Sequence, residues 1–193
     1  SVAAGGFLLA SNLVPLAACS ANSGRDKEPD NNEGSTSGGA AEASTVYMLT
    51  EISSGSLLRI YEALERPVSG KVAVKLSTGE PGGNNYLKPA LIGDLVRKVN
   101  GTIIECNTAY AFTAVAPVDI MDSEGEISLP VKGGKHLKED IVGSHYANYD
   151  FTVVLSHFKG HAMGGFGGAI KNISIGIASS SGKAWIHSAG KTR

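Results

Sequence analysis

Apolar positions along this chain follow two periodicities in turn. Residues 71–77 (KVAVKLS), 102–107 (TIIECN) and 151–158 (FTVVLSHF) are short runs dominated by β-branched and aromatic residues, which predict strands. The unbroken FTVVL stretch suits a strand buried on both faces. Residues 46–50 and 111–120 predict two more strands. Helical spacing lies between them. Leu57, Leu58, Ile60, Tyr61 and Leu64 follow Ser53 and Ser54, either of which can cap a helix. Leu91, Ile92, Leu95, Val96 and Val99 form one face of a helix over 86–99, ended by Asn100-Gly101. A short helix is predicted over 137–142, and another starts at Gly168, weakened by Gly176 and its β-branched isoleucines. Strands separated by helices predict an α/β fold with a mostly parallel or mixed sheet and covering helices.

The first 45 residues break this pattern. Residues 1–19 are apolar, rich in small residues and uncharged, ending in Leu16-Ala17-Ala18-Cys19. That is the pattern of a signal segment whose cysteine becomes lipidated, and its weakly hydrophobic, Gly/Ala-rich core is closer to twin-arginine signals than to ordinary secretory ones. A buried or membrane-spanning helix is the poorer reading of a segment this short that contains Gly, Ser, Asn and Pro. Residues 20–45 are polar and nearly free of large apolar side chains, so they cannot offset the entropy of ordering and are expected to act as a flexible tether. The expected organisation is a signal segment (1–19), a tether (20–45) and an α/β domain (46–193). The domain is then extracytoplasmic, in the cell envelope, and meets the membrane only through a lipid anchor at Cys19.

With 193 residues, 42% of them hydrophobic, the chain is long enough to bury a full core. A net charge of −1 provides no field for nucleic acid or a membrane surface. Two cysteines, Cys19 and Cys106, define no disulfide framework.

Three polar stretches fall at predicted strand ends, where open α/β sheets bind ligands: 77–85, 106–110 and 157–172. The last, HFKGHAMGGFGGAIKN, is the densest in chemistry. His157 and His161 are four apart and can share a metal ion if the loop allows it; the alternative is one structural and one exposed histidine. Gly164, Gly165, Gly167 and Gly168 let backbone approach a ligand and present amides to an anion, or serve a tight backbone crossing. Lys159 and Lys171 can neutralise an anionic ligand or cluster, or be solvated, and Asn172 adds a polar group beside them. Cys106 ends a strand as a third possible metal ligand or as a small buried hydrophobe. His187, near Trp185 and Lys183, is a further candidate. The glycines match neither the dinucleotide fingerprint, since position 170 is Ile, nor a P-loop. There is no nucleophile elbow.

The segments KVAVKLSTGEPGGNNYLKP, TIIECNTAY, APVDIMD and LSHFKGHAMGGFGGAIKNISIGIASSSGKAWIHSAGK resemble domain-of-unknown-function family 362 (DUF362). The resemblance spans residues 46–193 and is most specific over the last 40 or so. Members are often described as ferredoxin-like or iron–sulfur proteins, so it implies a cluster or other metal centre, with part of its ligand set elsewhere. It also implies a longer segment after Tyr110 and a domain that continues beyond Arg193.

The leading expectation is therefore a membrane-tethered redox protein that transfers electrons through an iron–sulfur or other metal centre to a redox partner. His157, His161 and Cys106 would lie at the metal, and Lys159, Lys171, Asn172 and the glycine loop would contact the bound group. The residues alone support a metal or anion site. A non-redox module for a small anion or metal ion, and a His/Lys-dependent enzyme acting on a small organic acid, remain open.

Overall fold

A computed structural model describes the backbone of residues 7–12, and residues 45–79, 83–84, 86–106, 115–162 and 164–192. Among them, the strands are β1 (Phe7–Asn12), β2 (Val72–Leu76), β3 (Gly101–Glu105), β4 (Val118–Ile120), β5 (Glu126–Pro130), β6 (Glu139–Gly143), β7 (Phe151–Ser156), β8 (Gly160–His161) and β9 (Gly165–Phe166). The helices are α1 (Ser54–Ala63), α2 (Pro89–Lys98), α3 (Gly168–Ser174) and α4 (Ser180–His187), with a 3-10 turn at Ser144–Asn148.

The main sheet has the order β1-β7-β2-β3-β4. β7, β2, β3 and β4 run parallel, and β1 joins the edge of β7 antiparallel. The expected α/β fold with a parallel-to-mixed sheet is what forms. The chain moves outward from β2 through β3 to β4, then returns to place β7 on the other side of β2. Connections leave the β2 and β7 ends in opposite directions, which opens a crevice between them.

Each strand feeds two cores by alternation. Val72, Val74 and Leu76 of β2 pack under α1 and α2, against Leu95 and Val96. Ala73 and Ile104 face the other side, with Met121, Val142 and Tyr149. All five β2 residues are buried. Burying one apolar side chain contributes roughly 1.5–3 kcal/mol, so Lys75, 2% exposed within this strand, occupies a position where packing favours a leucine.

The helices start and stop where local chemistry directs. Ser53 caps α1 through a reciprocal pair with Ser56. Pro89 opens α2, its missing N–H harmless in the first turn. Asn100 then turns the chain at φ 48° into β3.

Three expected elements differ. Residues 46–50 form no strand: Val46 and Met48 are 70% and 82% exposed, and an extended apolar run without a partner edge has no ladder to join. Residues 137–142 form no helix, because Ile141 and Val142 pair with Ser128 and Ile127 as β6 against β5. The helix from Gly168 ends at Ser174, and Ile177 to Ser179 instead hydrogen-bond along β6. The expected strand at 111–120 is seen as Val118–Ile120, and residues 107–114 lie outside the described residues. So do residues 80–82 and 85 of the EPGGNN loop, Cys19, and tether residues 20–44. Part of the apolar signal-like segment is β1. No helix among the described residues is long and apolar enough to cross a membrane.

Asp119 of β4 is tied to the far side of the sheet. His145 Nδ1 lies 2.8 Å from Asp119 Oδ1, His145 Nε2 lies 3.2 Å from Glu124 Oε2, and Tyr149 Oη donates to Asp119 Oδ2 at 2.7 Å. Asp119, then Glu124, raises His145 above its ordinary 6.5. Burial pushes Asp119 up, but hydrogen bonds from His145 and Tyr149 outweigh it and leave the carboxyl below 3.8. The histidine contribution is complete below pH 6.5 and lost as pH rises through the folded value; the aspartate contribution is present above pH 3.8 and lost as pH falls. The stability difference between wild type and His145→Ala, read from urea unfolding, should therefore be largest between pH 3.8 and 6.5 and narrow at higher pH. A difference that widens toward pH 9 would contradict the assignment.

Candidate functional site

Carboxyl ends of parallel strands leave backbone groups without ladder partners, and here they frame a cleft of about 470 Å³ at the β2/β7 switch point. Its floor is an ion pair. Lys75 Nζ lies 2.9 Å from Glu105 Oε1, with the side chains 2% and 6% exposed. Lys75 Nζ also donates to Leu76 O at 2.7 Å. Glu105 is held from three directions: by Lys75, by Thr78 Oγ1 donating to Oε2 at 2.9 Å, and by the Cys106 N–H donating to Oε1 at 3.2 Å. Burial lowers the Lys75 amine below its usual 10.5 by stripping water from the ammonium, and Glu105 offsets only part of that.

The walls come from three segments. Ser77 to Gly79 continue β2, and Ser77 Oγ accepts the His157 N–H at 3.2 Å, which binds the ends of β2 and β7 together. The β8–β9 hairpin carries Lys159, Gly160 and His161 along one side. Gly165 (φ 66°) and Gly168 (φ 76°) make the turns that bring this hairpin back into α3, a conformation a residue with Cβ enters only with strain. Phe158 and Phe166 pack tilted, 5.0 Å between ring centroids, and brace the hairpin from outside. From α3 come Lys171 and Asn172, and from α4 Lys183, whose Nζ donates to Cys106 O at 3.0 Å.

The predicted site residues divide into three groups. Lys159, His161, Gly167, Gly168, Lys171 and Asn172 line the cleft, as expected of one strand-end loop. Gly164 and Gly165 shape the hairpin turn. Asn172 is also a brace, its Nδ2 donating to Ser156 Oγ at 2.9 Å and Leu155 O at 3.3 Å. Cys106 and His157 are not among the residues that line the cleft. The Cys106 thiol is buried in the opposite core, donates to Ile177 O at 3.1 Å, and is pushed up to about 12 by burial. His157 Nδ1 is buried with no hydrogen-bond partner among the described residues.

These positions bear on the expected metal centre. A cysteine-ligated iron–sulfur cluster takes four thiolates, whereas this sequence has two cysteines, and Cys106 is held as a thiol in a core. His161 Nδ1 accepts the Gly164 N–H at 3.0 Å, so this ring nitrogen is engaged within its own hairpin. Among the described residues no three His, Cys, Asp or Glu side chains form a metal-ligating group. The side chains described here do not fit an iron–sulfur cluster.

A family model described as a domain of unknown function (DUF362) matches residues 72–193. The chain belongs to the DUF362 family. No curated protein and no solved structure matches it. The matched segment opens at the first residue of β2 and contains every residue that lines the cleft, from Lys75 to Lys183.

Lys75, Glu105 and Thr78 were not among the residues singled out from sequence. The first two carry a signal that was available: a lone lysine in VAVKL and a lone glutamate closing TIIE, each a charge in an otherwise apolar strand. Lys75→Met alone leaves the Glu105 carboxylate buried without its partner and should cost roughly 3–5 kcal/mol in urea unfolding. Lys75→Met with Glu105→Gln removes both charges and should recover most of that loss; equal losses would show that the pair is not coupled. Iodoacetamide with peptide mapping checks the thiol: Cys106 should be alkylated in denaturant and spared in the native chain. Native labelling of Cys106 would place it outside the core.

Proposed function

We propose that this DUF362 domain binds a small anionic molecule, a carboxylate or a phosphate, in the cleft at the β2/β7 switch point. One observation carries the reading. Among the described residues lining the cleft, Lys75, Lys159, Lys171 and Lys183 face a single carboxylate, Glu105, and that carboxylate is already engaged by Lys75, Thr78 and the Cys106 amide. The balance is positive inside a concavity, where like-signed walls concentrate the field that an anion meets. The glycine hairpin supports close approach of backbone to the bound group.

The N-terminal segment supports a location outside the cytoplasm with a lipid anchor at Cys19. An electron-transfer role, which the family resemblance suggested, would draw its cluster ligands from outside the side chains described above.

Calorimetric titration of the full chain with inorganic phosphate and with oxalate tests the reading. Binding is expected, weaker at high ionic strength, and Lys171→Ala should weaken it roughly tenfold, the worth of one charge-assisted hydrogen bond. Absence of any binding at low salt would overturn it. So would iron and sulfide in anaerobically purified protein together with no effect of Lys171→Ala.

A further inference from the structure

We propose that the Lys75 amine is a nucleophile that forms an imine with a small carbonyl compound bearing a carboxylate or phosphate. This rests on the anion-site reading for how the compound is held, and adds the atom it reacts with. An ordinary binding cation is exposed and flexible. Lys75 is the opposite: 2% exposed, on a central strand and in the cleft lining, its Nζ held between Glu105 Oε1 and the Leu76 carbonyl. Gly176 makes room for its stem, since a Cβ there would stand 2.8 Å from Lys75 Cε. A lysine already paired with Glu105 adds little net charge for an anion, so neutralising the ligand falls to Lys159, Lys171 and Lys183, which line the same cleft. What the floor supplies is an amine with a base fixed beside it. Burial, which disfavours the ammonium, acts in the same direction.

The step balances without any co-reactant. Glu105 Oε1, 2.9 Å from Nζ, accepts a proton from the ammonium. The freed lone pair attacks the carbonyl carbon, a C–N bond forms, and the carbonyl π pair moves to oxygen. A second amine proton passes to that oxygen and gives a neutral carbinolamine. Glu105 then returns its proton to the hydroxyl, which leaves as water while the nitrogen lone pair closes the C=N bond. One water is released, the positive charge stays on nitrogen, and nothing is oxidised or reduced. Thr78 Oγ1 and the Cys106 N–H keep the carboxylate in place through both transfers.

The test is reductive trapping on the full chain at neutral pH, with pyruvate and cyanoborohydride, followed by peptide mapping. The expected result is one adduct per chain on Lys75, formed severalfold faster than on Lys159, Lys171 or Lys183, because Glu105 is fixed 2.9 Å from its amine to take the proton. Inorganic phosphate should slow this labelling. Glu105→Gln should slow it too, with the fold checked by circular dichroism, while the wild-type map does not depend on any variant folding. Adducts spread over surface lysines with Lys75 unmodified would overturn the proposal. If phosphate binds by calorimetry and Lys75 stays unlabelled, the imine falls and the anion site stands. If Lys75 is labelled equally by pyruvate and by neutral acetone, and phosphate neither binds nor protects, the nucleophile stands and the anion site falls.

Discussion

A lysine and a glutamate taken out of water at the ends of two neighbouring parallel strands impose demands on everything around them. Each charge loses several kcal/mol of hydration on burial, and the pair persists only if the surrounding groups return it. Glu105 has Lys75, Thr78 and the Cys106 amide; Lys75 has Glu105 and the Leu76 carbonyl. These partners come from the residues that end β2 and β3, so the ion pair requires those strands to be adjacent and in the register that the sheet shows. The close pass of Gly176 belongs to the same requirement, because a side chain there would displace the lysine stem.

The rest of the cleft is arranged around that floor by loops rather than by the core. Ser77 ties the end of β2 to the end of β7, Asn172 ties α3 to the end of β7, and Lys183 ties α4 to the end of β3. Three crosslinks at three strand ends hold three lysine-bearing segments around one concavity. None of them contributes much to stability individually. Their effect is positional: they turn a loop rich in glycine into a wall whose backbone course is set. The apolar packing beneath, from Leu76 through Val153 and Leu155, supplies the stability that lets the polar end be strained and charged.

How much of this was legible in the chain depended on the range of the forces involved. β2, β3 and β7 are marked by runs of β-branched residues, and α1 and α2 by helical spacing, because those signals act within a few residues. The sequence points to a helix over β6 because the partner that makes it a strand, β5, pairs with it from nine to seventeen residues back along the chain, so the pairing that decides it is nonlocal. The hairpin lysine and histidine, Lys159 and His161, were found through their neighbouring glycines and do line the cleft. Cys106 and His157 looked equivalent to them in sequence. Strand alternation sends the Cys106 thiol into the core shared with Met121 and Ile177, and a sulfur donating to a carbonyl there has no route to a ligand.

By itself, the sequence determined that strands would alternate with helices, that β7 would be buried, and that a glycine-rich turn would follow its end, because periodicity and glycine content are local properties that folding reads directly. It determined membership of the DUF362 family for the same reason, through residues 72–193. Only the tertiary structure decided which charges meet. Lys75 and Glu105 are thirty residues apart, and nothing local distinguishes a buried, paired lysine from a solvated one. The parallel pairing of β2 with β3 puts their ends side by side, and the return of β7 on the opposite edge opens the crevice above them. Pairing across a sheet is a property of the assembled chain, and so is the cleft it creates.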